Sequence, residues 1–294
     1  MGTLTPHITA YLRDVRTRGR MQAVAITDAR YTLRGLDGTH GDRPLRSVAD
    51  SLQRWEASIG HLAPATRRAY RSRAVQLLRW MHRRQLLRAD PTLDLEPIRQ
   101  PPPVERYLSV EDARATIAAA PDARARAVLW LLWGCGLRCC EVSRAGVGDW
   151  HRRDGILEVR GKGGRGAVTH SVPVPQTVSA ALADLLAAQP ATAGPLIRSR
   201  VHPHRGVAPK TISGWVRRWM RAASVKAAAG DGRSAHALRH AAACDLLDAA
   251  GGDPTVPQQA LGHRHLSTTA RYLRRDRVER VRAAMEGRDW GEAA

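Results

Sequence analysis

Phenylalanine is absent from the 294 residues, and five tyrosines with eight tryptophans supply every aromatic side chain. Interior packing therefore falls to aliphatic residues and tryptophan, and a tyrosine in a polar setting needs its own explanation. Cysteine is scarce too: four residues, Cys135, Cys139, Cys140 and Cys244. They make neither a disulfide framework nor the C-x-x-C spacing of a zinc ribbon, and they read as small buried residues. No long apolar run, signal peptide or lipidation motif occurs near "MGTLTPHITAYLRDV", so the expectation is a cytoplasmic protein with no membrane partner. Acidic residues number 27 against 47 Lys and Arg, a formal charge of +20. A preference for arginine over lysine changes which cation is used and does not create that imbalance. A polyanion is the expected partner, nucleic acid ahead of an acidic membrane surface.

What is present sorts into segments. From residue 4 to 98 amphipathic helices alternate with turn signals. Ile8, Leu12 and Val15 recur at helical spacing before Gly19; "AITDARYTLRGLDG" is expected to stop at Gly35 and Gly38; Leu45, Val48, Leu52 and Trp55 share a face. A fourth helix from Pro64 and Thr66 turns Tyr70, Ala74, Leu77, Leu78 and Met81 inward and a row of arginines outward. Residues 1–98 thus read as a small helical domain, and 99–107, with Pro101, Pro102 and Pro103, as an extended linker. In the remainder, 108–294, Ser109 is a candidate N-cap with Asp112 three residues on, and "ARAVLWLLWGCGL" is a buried helix ending at Gly134 or Gly136. One β-hairpin is expected, with Ile156, Leu157 and Val159 on one strand and Val168, Val172 and Val174 on the other. Helices resume at Val178, one of them from Thr211. The fold class is mainly α with a small β-hairpin.

Four short motifs follow in order along the second half. "GCGLRCCEVSRAGVGDW" places Arg138 after a helix end and Glu141 one turn later. "RGKGGRGAV" puts Lys162 at the hairpin tip. "SAHALRHAAACDLL" starts a helix with His236, Arg239 and His240 at i, i+3 and i+4, spacings that share a face. "LGHRHLSTTARYLRR" carries His263 and, nine residues on, Tyr272. Each alone is more simply a helix-terminal arginine, a solvated lysine or a capping histidine. Their order and spacing together are not so easily dismissed.

With those residues in this order, the chain resembles the tyrosine recombinase, or phage integrase, family, whose members show "G-L-R-x-x-E", a lysine in a "G-K-G-G-K" hairpin turn, "H-x-L-R-H", and "L-G-H" nine residues before a nucleophilic tyrosine. The resemblance implies a helical, SAM-like core-binding domain and a mixed α/β catalytic domain, together forming a C-shaped DNA clamp. It implies a site-specific recombinase of integrase or resolvase type that cleaves and rejoins DNA through a 3′-phosphotyrosyl link and a Holliday junction. Arg138 and Arg239 would hold the scissile phosphate in a fork that lysine does not copy, and His263 would add a hydrogen bond. His236 would assist proton transfer from Tyr272, whose phenolate a cluster of positive charge favours. Lys162 would protonate the 5′ oxygen, Glu141 would orient Arg138 or a neighbour, and His240 would support the site. No metal and no cofactor are implied.

The expected partners are double-stranded DNA, three further copies of the chain in a tetramer on DNA, and accessory DNA-binding proteins. A C-terminal helix with Val278, Val281 and Met285 at helical spacing would dock on a neighbouring protomer. Lys210, Arg217, Arg218 and Arg221 are candidate DNA contacts. Two rivals compete: a type IB topoisomerase, which shares the chemistry and joins no two sites, and a DNA-binding regulator that has lost catalysis. Retention of all six site residues opposes the second.

Overall fold

A computed structural model describes residues 4–19, 21, 23–99, 108–160, 168–228 and 231–262. The chain divides into two compact units, Met1–Val104 and Glu105–Ala294.

In the first unit four helices follow the apolar periodicity: α1 Thr5–Thr17, α2 Ala23–His40, α3 Val48–Ser58 and α4 Pro64–Arg83. Helix α2 packs against α1, α3 and α4. The core gathers Ile8 and Leu12, Leu33 and Leu36, Leu52 and Trp55, and Leu77, Leu78 and Met81. Polar ties hold the periphery: the Trp80 indole donates to Asp14 Oδ2 at 2.9 Å, and the Leu4 amide donates to Asp37 Oδ1 at 3.0 Å. Contrary to the expectation from its glycines, α2 runs through Gly35 and Gly38 and ends at His40, before Gly41 at φ +62°. Gly35 serves packing instead: a β-carbon there would stand 3.0 Å from Trp55 Nε1, so its absence lets α2 and α3 approach closely. The arginine row of α4 is partly drawn into the unit, with Arg71 on Glu56 and Arg73 on Thr32 Oγ1 at 2.7 Å.

The second unit begins with α5 Val110–Ala118, capped as expected by Ser109, whose Oγ accepts the Asp112 amide at 3.0 Å. Helix α6, Ala123–Trp133, is buried on almost every side and ends before Gly134. The four-residue helix α7, Cys139–Val142, follows, then α8 Gln176–Ala188, α9 Pro209–Ala222, α10 Ala235–Ala249 and α11 Thr255–Ala260. Helix α6 is central, touching α5, α7, α8, α9 and α10. The β-hairpin is part of a three-stranded antiparallel sheet in the order β1 Trp150–His151, β2 Ile156–Arg160, β3 Val168–Pro173. Strand β1 is too short for alternation to reveal, and Val174 falls one residue past β3. Register pairs Leu157 with Val172 and Val159 with His170, which faces the buried side of both strands inward. Helix α9 starts at Pro209, two residues before the expected Thr211, because proline suits the first turn, where no amide partner is needed. No helix among the described residues is long and apolar enough to cross a membrane.

Candidate active site

Helix α6 delivers the chain to Gly136, whose φ of +61° suits glycine; a β-carbon there would also clash with Leu261 Cδ2. The close turn places Arg138 at the N-cap of α7. Its amide donates to Glu141 Oε2 at 2.7 Å and its Nη1 to Glu141 Oε1 at 2.7 Å. The carboxylate thus caps the helix that presents it, while the Arg138 side chain stays 38% exposed.

From the far side, α10 brings Arg239, which is 1% exposed. Its Nη1 donates to the Gly136 carbonyl and reaches Glu141 Oε2 at 3.3 Å; Nη2 donates to the Leu261 carbonyl at 2.8 Å. A buried guanidinium is tolerable only with such partners. The two arginines of "GLRCCE" and "HALRH" therefore share one carboxylate, 3% exposed. The shared-face spacing of α10 resolves into different depths. His236 is exposed, Arg239 sealed, and His240 half-buried with Nδ1 3.6 Å from Cys244 Sγ. Lys162, His263 and Tyr272 lie outside the described residues, as do the linker prolines and Val278, Val281 and Met285.

Two supports were not legible in the motifs. Asp149, 5% exposed, accepts the Gly146 amide at 2.8 Å and chelates Arg160 through Nε at 3.0 Å and Nη2 at 2.5 Å. That ion pair anchors the end of β2, two residues before Lys162 in sequence, and holds the Asp149 carboxyl below the usual range against the opposing effect of burial. The loop before α10 is pinned by Lys226, 7% exposed, whose Nζ donates to the Ala228 carbonyl at 2.9 Å and to Asp231. That bond, with the Arg233 and Ala228 amides, holds the Asp231 carboxyl down at about 2.

His170 is a third residue that the motifs passed over. Burial lowers its imidazole from the ordinary value, Glu141 opposes this, and Arg239 and Arg138 reinforce it. It occupies the same alternation as Val172 and Val174 in "VTHSVPVP", so a polar residue at an apolar position was the available signal. The cysteines divide. Cys135 and Cys244 are buried, the Cys135 thiol pushed up by burial to about 12. Cys139 and Cys140 are only half-buried, because they form the first turn of α7 beside the part-exposed Arg138. Burial still raises Cys139 to about 11. Lys210, Arg217, Arg218 and Arg221 are exposed on α9, opposite Ile212, Val216 and Met220 in the core.

Two arginines from separate motifs thus meet on one buried carboxylate. The chain belongs to the phage integrase family, the tyrosine recombinases, whose pattern matches residues 106–279. It is 36% identical over 218 residues to tyrosine recombinase XerC of Rhodospirillum centenum, covering 69% of this chain and 61% of that protein. The chain thus spans about three fifths of the length of that relative. It is 30% identical to tyrosine recombinase XerD of Pseudomonas aeruginosa, over 74% of this chain and 76% of that one. In fold it is similar to the crystal structure of a lambda integrase (75-356) dimer bound to a COC' core site, with TM-score 0.75, 17% identity and coverage of 100% and 99% of the two chains.

Proposed function

We propose that this chain is a site-specific DNA recombinase of integrase or resolvase type, which cleaves and rejoins DNA through a 3′-phosphotyrosyl intermediate and a Holliday junction. The observation that carries the reading is the Glu141 clamp, which sets Arg138 and Arg239 side by side from separate motifs. In this reading DNA binding exchanges some protein acceptors of Arg239 for non-bridging phosphate oxygens, with Arg138 meeting the same phosphate from the exposed side. The Tyr272 oxygen attacks the scissile phosphorus, forming one P–O bond as the bond to the 5′ oxygen breaks. His236 takes the phenolic proton, Lys162 gives a proton to the departing 5′ oxygen, and His263 hydrogen-bonds the phosphate. Attack by a 5′-hydroxyl from the other duplex reverses these steps. The phosphotyrosyl bond conserves the energy of the broken one, so no ATP is required, and cationic side chains take the charge that a metal would otherwise meet.

Residues 1–98 are assigned to core binding, 99–107 to the linker and 108–294 to catalysis, with α9 set on the DNA backbone. Two duplexes exchanged strand by strand require four active sites, and the tail carrying Val278, Val281 and Met285 is assigned to the contact between protomers. The cytoplasm, with its nucleoid, is the assigned compartment.

The test is a reaction between two duplexes carrying DNA that flanks the gene. Recombinant product with the wild-type chain and none with Tyr272→Phe supports the reading. Relaxation of any supercoiled plasmid, without joined products, overturns it in favour of a topoisomerase.

A further inference from the structure

His170 sits on β3 opposite Val159, at the position where the apolar alternation of Val172 and Val174 would admit another valine. Its ring instead closes on Gly262. A β-carbon on that glycine would stand 2.6 Å from His170 Cε1 and Nδ1 and 2.8 Å from Cγ, and Gly262 has φ +60°. Glycine is thus required twice over, by the backbone conformation and by the imidazole. The residue before it, Leu261, supplies the carbonyl that accepts from Arg239 Nη2 at 2.8 Å. Glu141, Arg239 and Arg138 all act electrostatically on the same ring. A strand of the sheet, the turn after α11 and the buried arginine therefore meet in one packed unit, with the imidazole as the wall behind the turn.

We propose that His170 is a positioning residue for strand cleavage: its ring fixes the Leu261–Gly262 turn, and through the Leu261 carbonyl it sets the direction of the Arg239 guanidinium. The proposal rests on the reading of Arg138 and Arg239 as the phosphate-binding pair. An arginine fork is sensitive to direction because both of its hydrogen bonds must align with the oxygens they meet. Loss of the ring leaves the turn free to move toward β3 and carries the carbonyl away from Nη2. DNA affinity, spread over many phosphate contacts, is little affected. The cleavage step, which depends on one guanidinium, is.

The experiment measures single-turnover formation of the covalent protein–DNA adduct on a duplex from the gene's flanking DNA, and on the same duplex with a methylphosphonate at the scissile position. The methylphosphonate removes a negative charge and with it much of the need for Arg239. On the phosphate duplex, His170→Ala is expected to slow cleavage about tenfold to a hundredfold, the size of effect a small misplacement produces. DNA affinity should stay near that of the wild type, and on the methylphosphonate most of the cleavage defect should disappear. Arg239→Ala run beside it should show the same dependence on substrate. His170→Gln, which keeps a polar side chain of similar reach, should recover part of the rate and carries the comparison if the alanine variant does not fold. Wild-type rates for His170→Ala, or equal slowing on both duplexes while Arg239→Ala is relieved, overturn the proposal and leave His170 a packing residue. An Arg239→Ala defect that the methylphosphonate does not relieve overturns the phosphate-binding reading itself, and the proposal falls with it.

Discussion

Arg239 on α10 and Glu141 on α7 meet at 3.3 Å across 98 residues of sequence, with side-chain exposures of 2% and 3%. Arg138 completes the arrangement from the solvent side of the same carboxylate. The pair ties two parts of the second unit together and leaves the Arg138 guanidinium part-exposed beside it.

Removal of the carboxylate takes a charged acceptor away from a sealed guanidinium. Glu141→Ala is expected to destabilise the second unit by about 3 kcal/mol, the usual cost of stripping one partner from a buried ion pair. Glu141→Gln, which keeps an acceptor and the N-terminal cap of α7, should cost less. Thermal or urea unfolding of the two variants checks the order; equal stabilities would contradict it.

The two glycines inside α2 are expected to behave oppositely. A β-carbon at Gly38 meets nothing within 4 Å, so Gly38→Ala should stabilise the first unit by roughly 0.5–1 kcal/mol through helix propensity. At Gly35 the new carbon presses on Trp55 Nε1 at 3.0 Å, and the same gain should be cancelled or reversed. Paired melting temperatures decide.

That contrast marks where sequence reading stops. Apolar periodicity places the helices and their buried faces well, as with Ile8, Leu12 and Val15 on α1 or Leu77, Leu78 and Met81 on α4. It does not separate a glycine that ends a helix from one that lets another helix approach, because the difference lies in Trp55, twenty residues away along the chain. Arg138, His236 and Arg239 are legible as motif residues, whereas the depth that exposes His236 and seals Arg239 three residues later comes from tertiary packing. His170 hides in a row of valines, and the Asp149–Arg160 pair has no spacing signature because the pairing of β1 with β2 brings the turn before β1 alongside β2.

Acid should loosen the loop before α10. Asp231 is held down at about 2 by Lys226 first, then by the Arg233 and Ala228 amides. The unfolded carboxyl titrates at about 3.9. A depressed folded value means that the stabilisation is fully present above the unfolded value and is lost as pH falls through about 2. Asp231→Asn should therefore flatten the dependence of unfolding temperature on pH below about 4. An unchanged acid slope would show that the Lys226 pairing contributes nothing.

The exposed cations of α9 are expected to act on DNA as point charges. Alanine at Arg217, Arg218 or Arg221 should weaken binding to specific and random duplexes alike. Each replacement of a true phosphate contact should lower the slope of log affinity against log salt by about 1. Fluorescence anisotropy across a salt series measures both; a change confined to one sequence would mark base reading instead.

The measurement that bears most directly on the account is the covalent adduct. DNA flanking the gene is incubated with the wild-type chain and with Tyr272→Phe, and protein–DNA species that survive denaturing detergent are mapped by peptide. An adduct with the wild-type chain alone, carried on the peptide that contains Tyr272, is the expected result. An adduct with both chains, or one on a different peptide, would contradict it.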